Sequence, residues 1–365
     1  MTTSEKRNAQ EDAMKMFSFA VFSKLEGAVT AGMIHLGDRL GLYSFLAENS
    51  NITSQELADG CGLHERWVRE WAYNQAAAHL ITSQTSEGGV VRFGLTDEAV
   101  AVLASPDHPA YGMGMFHRLP QTMQALQEMP ECFRTGLGLD YDSHGPEGAV
   151  GIERSFEPWN QAFLLPIVIP AIHGLTKLLS EGASVIDIGC GAGGAAMLLA
   201  QAFPKSNFTG YDISQFALER AKDRQSEKQI TNVKFIDPRV DPIVQDGSVD
   251  FVMTFDCIHD MTHPQEMMQT IRGALKDDGV WLLVDIKALD GLEQNMMHNP
   301  MASLMYGISI LSCMSSAMSS PDGAGLGTLG FSSSRAKSMA VAAGFSHFEQ
   351  LAIEHSVNAF YEIRP

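Results

Sequence analysis

His259 and Asp285 are residues of the types that move a proton. A neutral imidazole accepts a proton near neutral pH, and a carboxylate on its other nitrogen orients it and supports the charge that results. His259 lies in Phe255-Asp256-Cys257-Ile258-His259-Asp260, just after the apolar run Val249–Phe255. Asp285 closes the next apolar run, Val280–Val284. Strands ending in this way carry both side chains to one rim of a sheet, where His259 can deprotonate a hydroxyl. The plainer alternative is a strand-end histidine that only hydrogen-bonds the fold.

A second group of residues is suited to binding. Val185-Ile186-Asp187-Ile188-Gly189-Cys190-Gly191-Ala192-Gly193-Gly194 is an apolar strand with an acid near its end, then a glycine turn, then a helix from Ala195 to Phe203. Strand, tight turn and helix N-terminus are where α/β proteins hold nucleotide-like ligands. Asp212 ends the following strand, Asn207–Tyr211, where its carboxylate can accept both hydroxyls of a ribose.

The glycines alone fit a dinucleotide site as well, through Gly189, Gly191 and Gly194. Asp187 separates the two readings. A carboxylate two residues before the first glycine repels a pyrophosphate but attracts a sulfonium and an ammonium, the charges of S-adenosyl-L-methionine. The D-x-G-x-G-x-G run resembles the first motif of class I S-adenosylmethionine-dependent methyltransferases. The resemblance implies a cofactor site of Asp187, Gly189, Cys190, Gly191, Gly193, Asp212 and Ile213. It adds Asp237, at the end of Phe235-Ile236-Asp237, opposite the adenine amino group. Asp256 either meets the methionine portion of the cofactor or satisfies backbone amides.

Ile258-His259-Asp260, then Leu275-Lys276-Asp277-Asp278-Gly279 and a strand ending in Asp285, resemble the small-molecule O-methyltransferases typified by plant phenolic enzymes. In that family the histidine is the general base and an acid after the next strand orients it, usually a Glu where this chain has Asp285. The related enzymes cover their substrate with the region matching Met296–Met318. Met301, Met305 and Tyr306, with Trp159 and Phe163 from further upstream, are therefore candidates to line a substrate pocket. Ordinary helix packing produces the same pattern.

These residues need an α/β frame. Strands at Ser184–Ile188, Asn207–Tyr211, Val233–Ile236, Val249–Phe255, Val280–Val284, Phe348–Ile353 and Asn358–Ile363 alternate with helices at Ala195–Phe203, Phe216–Lys228, Gln265–Leu275 and Ser332–Ala343. Such alternation predicts a doubly wound, mostly parallel seven-stranded Rossmann-like sheet, closed by a hairpin that places one strand antiparallel. Residues 1–150 are expected to form a mainly α winged-helix dimerisation domain with a connector, and residues 151–365 the cofactor-binding domain. Thr53 and Glu56 form a capping box, His64–Leu80 reads as the longer helix, and Ser86-Glu87-Gly88-Gly89 is the wing. Trp67, Trp71 and Tyr73 are expected to pack. Residues 136–148 read as irregular.

Between 53 and 104 there are three basic and seven acidic residues, and the chain as a whole carries a formal charge of −18. That balance cannot neutralise phosphates, so nucleic acid is not an expected partner. No uncharged apolar run of membrane-spanning length stands out, and no secretory leader pattern, so no membrane partner is expected. Five scattered cysteines without metal-ligand spacing suggest free thiols in a reducing, cytoplasmic setting and no metal. Ala13–Leu25 is an apolar helix in need of a partner, most simply a second copy, which predicts a homodimer. The expected activity is methyl transfer to a small molecule, most simply to oxygen with His259 as base. Transfer to sulfur or nitrogen needs no base. A cofactor-sensing regulator using the winged helix is the reading of another class.

Overall fold

The computed structural model describes residues 3–365. It divides into two compact units, one ending at Leu119 and one beginning at Pro120.

The first unit starts with α1 (Thr3–Arg39), followed by α2 (Leu42–Glu48), α3 (Ser54–Cys61) and α4 (Glu65–Ala77). The helix expected over Ala13–Leu25 runs on through Gly27, because an interior glycine costs only about 1 kcal/mol. The break comes at Gly41, which holds φ 71° ahead of α2. The capping box is formed: Glu56 N–H donates to Thr53 Oγ1 at 3.2 Å, and Thr53 N–H donates to Glu56 Oε2 at 2.7 Å. The wing is the antiparallel pair β1 (Thr82–Thr85) and β2 (Val91–Gly94). Leu42, Tyr43, Leu46, Leu57, Val68, Trp71 and Phe93 build the core. Of the three aromatics expected to pack, Trp71 is buried, Tyr73 is partly exposed, and Trp67 stands in solvent at 80% exposure.

The fused α1 is longer than the helix expected over Ala13–Leu25. Its stretch from Arg7 to Arg39 has the length and apolar composition of a membrane-spanning helix, and little of it is buried. Reading Ala13–Leu25 as an isolated short helix hid that length. Met14, Met16, Phe17, Phe19, Val21, Phe22 and Leu25 are all exposed.

The second unit takes in most of the expected connector. Gly138 N–H donates to Met318 O at 2.8 Å, Leu139 N–H to Ser315 Oγ at 2.8 Å, and Gln215 N–H to an Asp142 carboxylate oxygen at 3.1 Å. These bonds tie residues 138–142 into the second unit, which begins at Pro120. The stretch expected to be irregular contains the 3₁₀ turn Tyr141–His144 and then α5 (Gly145–Phe163). Pro146 and Glu147 in the first turn are ordinary helix-start signals that the surrounding glycines obscured.

The remaining strands are β3 (Ser184–Ile188), β4 (Asn207–Tyr211), β5 (Val233–Ile236), β6 (Val249–Phe255), β7 (Leu275–Ile286), β8 (His347–Gln350) and β9 (Asn358–Arg364). They form one seven-stranded sheet in the order β5-β4-β3-β6-β7-β9-β8. β3 to β7 are parallel, and β9 is antiparallel to both β7 and β8. The closing hairpin is present with a longer loop than expected, because β8 stops at Gln350. The helices that matter for the site are α6 (Gly194–Ala202), α7 (Gln215–Lys228), α8 (Pro264–Ala274), α9 (Ala302–Leu311), α10 (Cys313–Ala317) and α11 (Ser333–Ala342). Phe208, Phe251, Met253, Leu282 and Phe360 fill the core on one face of the sheet, and Val252, Ile271, Trp281, Leu283 and Phe345 fill the other. After β5 the chain crosses to the far side of β3, so β3 and β6 flank the switch point. There the carboxyl ends of the strands open a crevice.

Candidate active site

The carboxyl end of β3 carries Asp187 and the glycine turn. Gly189 holds φ 69°, and a Cβ there would lie 2.6 Å from Cys257 Cβ, so this position admits only glycine. Gly191 holds φ 54° and faces open space, which leaves its backbone approachable by a ligand. Asp212, at the end of β4, ties the turn down. One carboxylate oxygen accepts from Gly191 N–H at 2.8 Å and the other from Ser214 N–H at 2.8 Å. Each oxygen keeps a second lone pair for a ligand hydroxyl. Burial raises the Asp212 carboxyl above the usual range, and these amides pull it back.

Asp187 is 2% exposed and its Oδ1 has no hydrogen-bond partner. Burial, then the Asp212 charge, push its carboxyl well above the usual range. Asn160 of α5 also buries an unpartnered Oδ1. Both residues line one cavity with Gly189, Gly191 and Phe255. Two buried acceptors in one cavity call for a cationic group rich in N–H donors, because an unpaired buried polar atom costs about 1–3 kcal/mol. The ammonium of S-adenosylmethionine is such a group, and a pyrophosphate is not. Asn160 and Asp142 escaped the sequence reading because neither belongs to a motif. Behind the turn, Arg224 donates to Ala192 O at 2.9 Å and pairs with Glu157 at 2.9 Å.

Other expected contacts differ. Asp237 is occupied by Arg239, whose guanidinium donates to it at 2.7 and 2.9 Å and also to Ile213 O at 2.6 Å. Arg239, first among several effects, holds the Asp237 carboxyl below the usual range. Ile213 is half exposed beside that pair. Asp256 follows β6 in the left-handed region at φ 47°, and Asn358 Nδ2 donates to it. Burial and the neighbouring Asp285 charge push its carboxyl up to about 7. Trp159 stacks on Phe360 at 5.4 Å and meets His355 edge-on at 4.9 Å, with Phe163 beside it. Trp159 also packs against the core on the Phe360 face of the sheet. Met301 is partly exposed, whereas Met305 and Tyr306 pack against the small cluster of Ala288, Ala302 and Leu329, which Ile286 also joins.

His259 and Asp285 meet. His259 Nδ1 lies 2.6 Å from Asp285 Oδ1, and both residues are buried. The shorter acid reaches because it also accepts Ile286 N–H at 2.8 Å, which turns it toward the histidine. Burial works against the imidazolium, but the Asp285 carboxylate and a hydrogen bond with Cys313 outweigh it and hold the His259 pKa well above its usual 6.5. Since Nδ1 is taken by Asp285, the Cys313 thiol meets Nε2. Cys313 is the residue that sequence reasoning missed here. His263 sits at the N-cap of α8, but its side chain pairs with Asp322 at 3.1 Å instead of capping.

Comparisons with known proteins agree with this geometry. A family model described as a methyltransferase domain matches residues 179–344, and one described as an Rv2258c-like winged HTH domain matches residues 28–104. The chain thus carries a methyltransferase domain at residues 179–344 behind a winged HTH domain at residues 28–104, and it has the fold of solved methyltransferases. It is 29% identical over 102 residues to (S)-coclaurine N-methyltransferase of Papaver somniferum, covering 28% of this chain and 29% of that one. It thus spans under a third of the length of that curated relative. Solved structures align over nearly the whole chain. The mitomycin 7-O-methyltransferase MmcR superposes with a TM-score of 0.68 at 19% identity, covering 97% of this chain and 99% of that one. Human N-acetylserotonin methyltransferase in complex with S-adenosylmethionine gives 0.66 at 16%, covering 95% and 97%.

Proposed function

We propose that the protein methylates a hydroxyl oxygen of a small molecule, with His259 as general base. The observation that carries this reading is the buried His259–Asp285 pair at 2.6 Å, on the same sheet rim as the cofactor turn. Bound S-adenosylmethionine supplies a sulfonium methyl whose carbon–sulfur bond breaks as the acceptor oxygen attacks it. Asp187 and Asn160 hold its ammonium, and Asp212 its ribose. His259 Nε2 takes the hydroxyl proton while Asp285 keeps the other nitrogen protonated and the ring in place. To reach Nε2 the hydroxyl must replace the Cys313 thiol. Met305 and Tyr306, packed on the cluster that Ile286 also joins, offer an apolar wall for the acceptor.

The similarity to an N-methyltransferase supports a second reading, transfer to an amine by alignment alone. The two part on product identity. The purified protein, given S-adenosylmethionine and a mixture of phenols, amines and thiols, is expected to yield O-methyl products by mass spectrometry. N-methyl products alone would overturn the oxygen reading.

The apolar residues of α1 lie all round the helix instead of along one stripe. Such a helix is buried by a partner or by lipid. We infer a homodimer in which a second copy covers it, without nucleic acid as a partner. Light scattering without detergent should give about twice the chain mass of 39.7 kDa. Removal of residues 1–25 should give monomers. A chain that instead needs detergent, or binds phospholipid vesicles through α1, would replace the dimer with a membrane.

A further inference from the structure

We propose that His259, Asp260 and Cys313 form a binding site for a divalent cation of zinc-like chemistry, and that its occupation silences the base. One donor atom from each residue lies within 4.8 Å of the others. His259 comes with its Nδ1 held by the Asp285 carboxylate at 2.6 Å, which leaves Nε2 as its ligand atom. A carboxylate on the far nitrogen is the usual support for a metal-binding imidazole. Asp260 ends the 3₁₀ turn Ile258–Asp260, and Cys313 opens α10, which packs on that turn.

The donor set decides the class of cation. One nitrogen, one sulfur and one carboxylate oxygen suit zinc or its neighbours, with the fourth tetrahedral position open. Magnesium and calcium prefer oxygen throughout. Tetrahedral zinc with these ligands needs donors about 3.5 Å apart, close to the separations of at most 4.8 Å found here. Asp260 and Cys313 are only partly buried, so a cation can reach them from solvent. Binding forms metal–nitrogen, metal–oxygen and metal–sulfur bonds and releases to solvent the thiol proton of Cys313 and, from a protonated imidazole, the Nε2 proton of His259, with no change of oxidation state. The Nε2 lone pair is then committed to the metal and cannot accept the acceptor's proton. This consequence, though not the site itself, rests on the reading of His259 as base.

Cobalt(II) is the probe, because thiolate ligation gives it a near-ultraviolet charge-transfer band. Chelator-treated full-length protein titrated with cobalt(II) chloride should develop that band at one equivalent, and zinc chloride should abolish it. Cys313→Ala should remove the band, and Asp260→Asn should weaken cobalt binding at least about tenfold, both with unchanged thermal unfolding midpoints. No band in the parent protein, or the same band in Cys313→Ala, would overturn the site. Zinc should also inhibit methyl transfer over the range in which it displaces cobalt, and a chelator should restore activity. Full turnover by the zinc-loaded protein would leave the site standing and remove His259 from the base role.

Discussion

His259→Ala should bind S-adenosylmethionine almost as well as the parent and transfer the methyl at least about a hundredfold more slowly, since loss of a positioned base costs about 10²- to 10⁴-fold. Binding survives because Asp187, Asn160 and Asp212 stand on other strands and on α5, and none depends on the imidazole. Asp285→Asn should lose less, because it removes the orienting charge and leaves the base. The pH profile follows from the same contacts. The Asp285 carboxylate and Cys313 hold the His259 pKa well above 6.5 against burial. The neutral form that can accept a proton is therefore scarce at pH 6.5, and the single-turnover rate should climb at higher pH than a free histidine would give. Asp285→Asn removes the main stabiliser of the charged ring, so the same climb should move to lower pH. A purely structural role for Asp285 would lower the rate without moving the profile. A flat profile with near-normal turnover in His259→Ala would point to a nucleophile that needs no base.

The catalytic frame was legible because its signals are local. Asp187, Gly189, Gly191 and Asp212 declare themselves by spacing along the chain, and the alternation of apolar strands and helices predicts the sheet that carries them. The pairing of His259 with Asp285 could also be inferred, since each ends one of two adjacent strands. What stayed hidden depends on chain returning from far away. Asn160 reaches the cofactor cavity from α5, upstream of the sheet, and Cys313 comes from the insertion after β7. Neither has a motif, and only tertiary packing brings them to the rim. Asp237 has a partner that the strand pattern could not indicate: Arg239, two residues on, matches its charge and donates to its carboxylate. Trp159 likewise has ring contacts, with Phe360 and His355, that the local sequence does not announce.

Asp212→Ala should weaken S-adenosylmethionine binding by at least about tenfold, and by about a hundredfold if both ribose hydroxyls lose their acceptor, because each bond to a charged group is worth about 1.5–3 kcal/mol. The carboxylate has a second task. It accepts Gly191 N–H and Ser214 N–H at 2.8 Å each, which joins the glycine turn of β3 to the start of α7. Alanine leaves both amides without that acceptor, so the cofactor-free protein should also unfold at a lower temperature. Thermal unfolding without cofactor measures this structural part, and calorimetry at a temperature where both proteins are folded measures the binding part. The pH dependence separates them further. Burial raises the Asp212 carboxyl above its unfolded value, so protonation is easier in the folded state. A raised carboxyl contributes stability that is present below the unfolded pKa and lost as pH rises through the folded one. The cofactor-free parent should therefore lose this increment on going from acid toward neutral pH, and Asp212→Ala should lose less. Cofactor affinity should run the other way, because the ionised carboxylate is the better acceptor for ribose hydroxyls. Unchanged affinity in Asp212→Ala, or tighter binding of NAD than of S-adenosylmethionine by the parent, would overturn the placement of the ribose at Asp212.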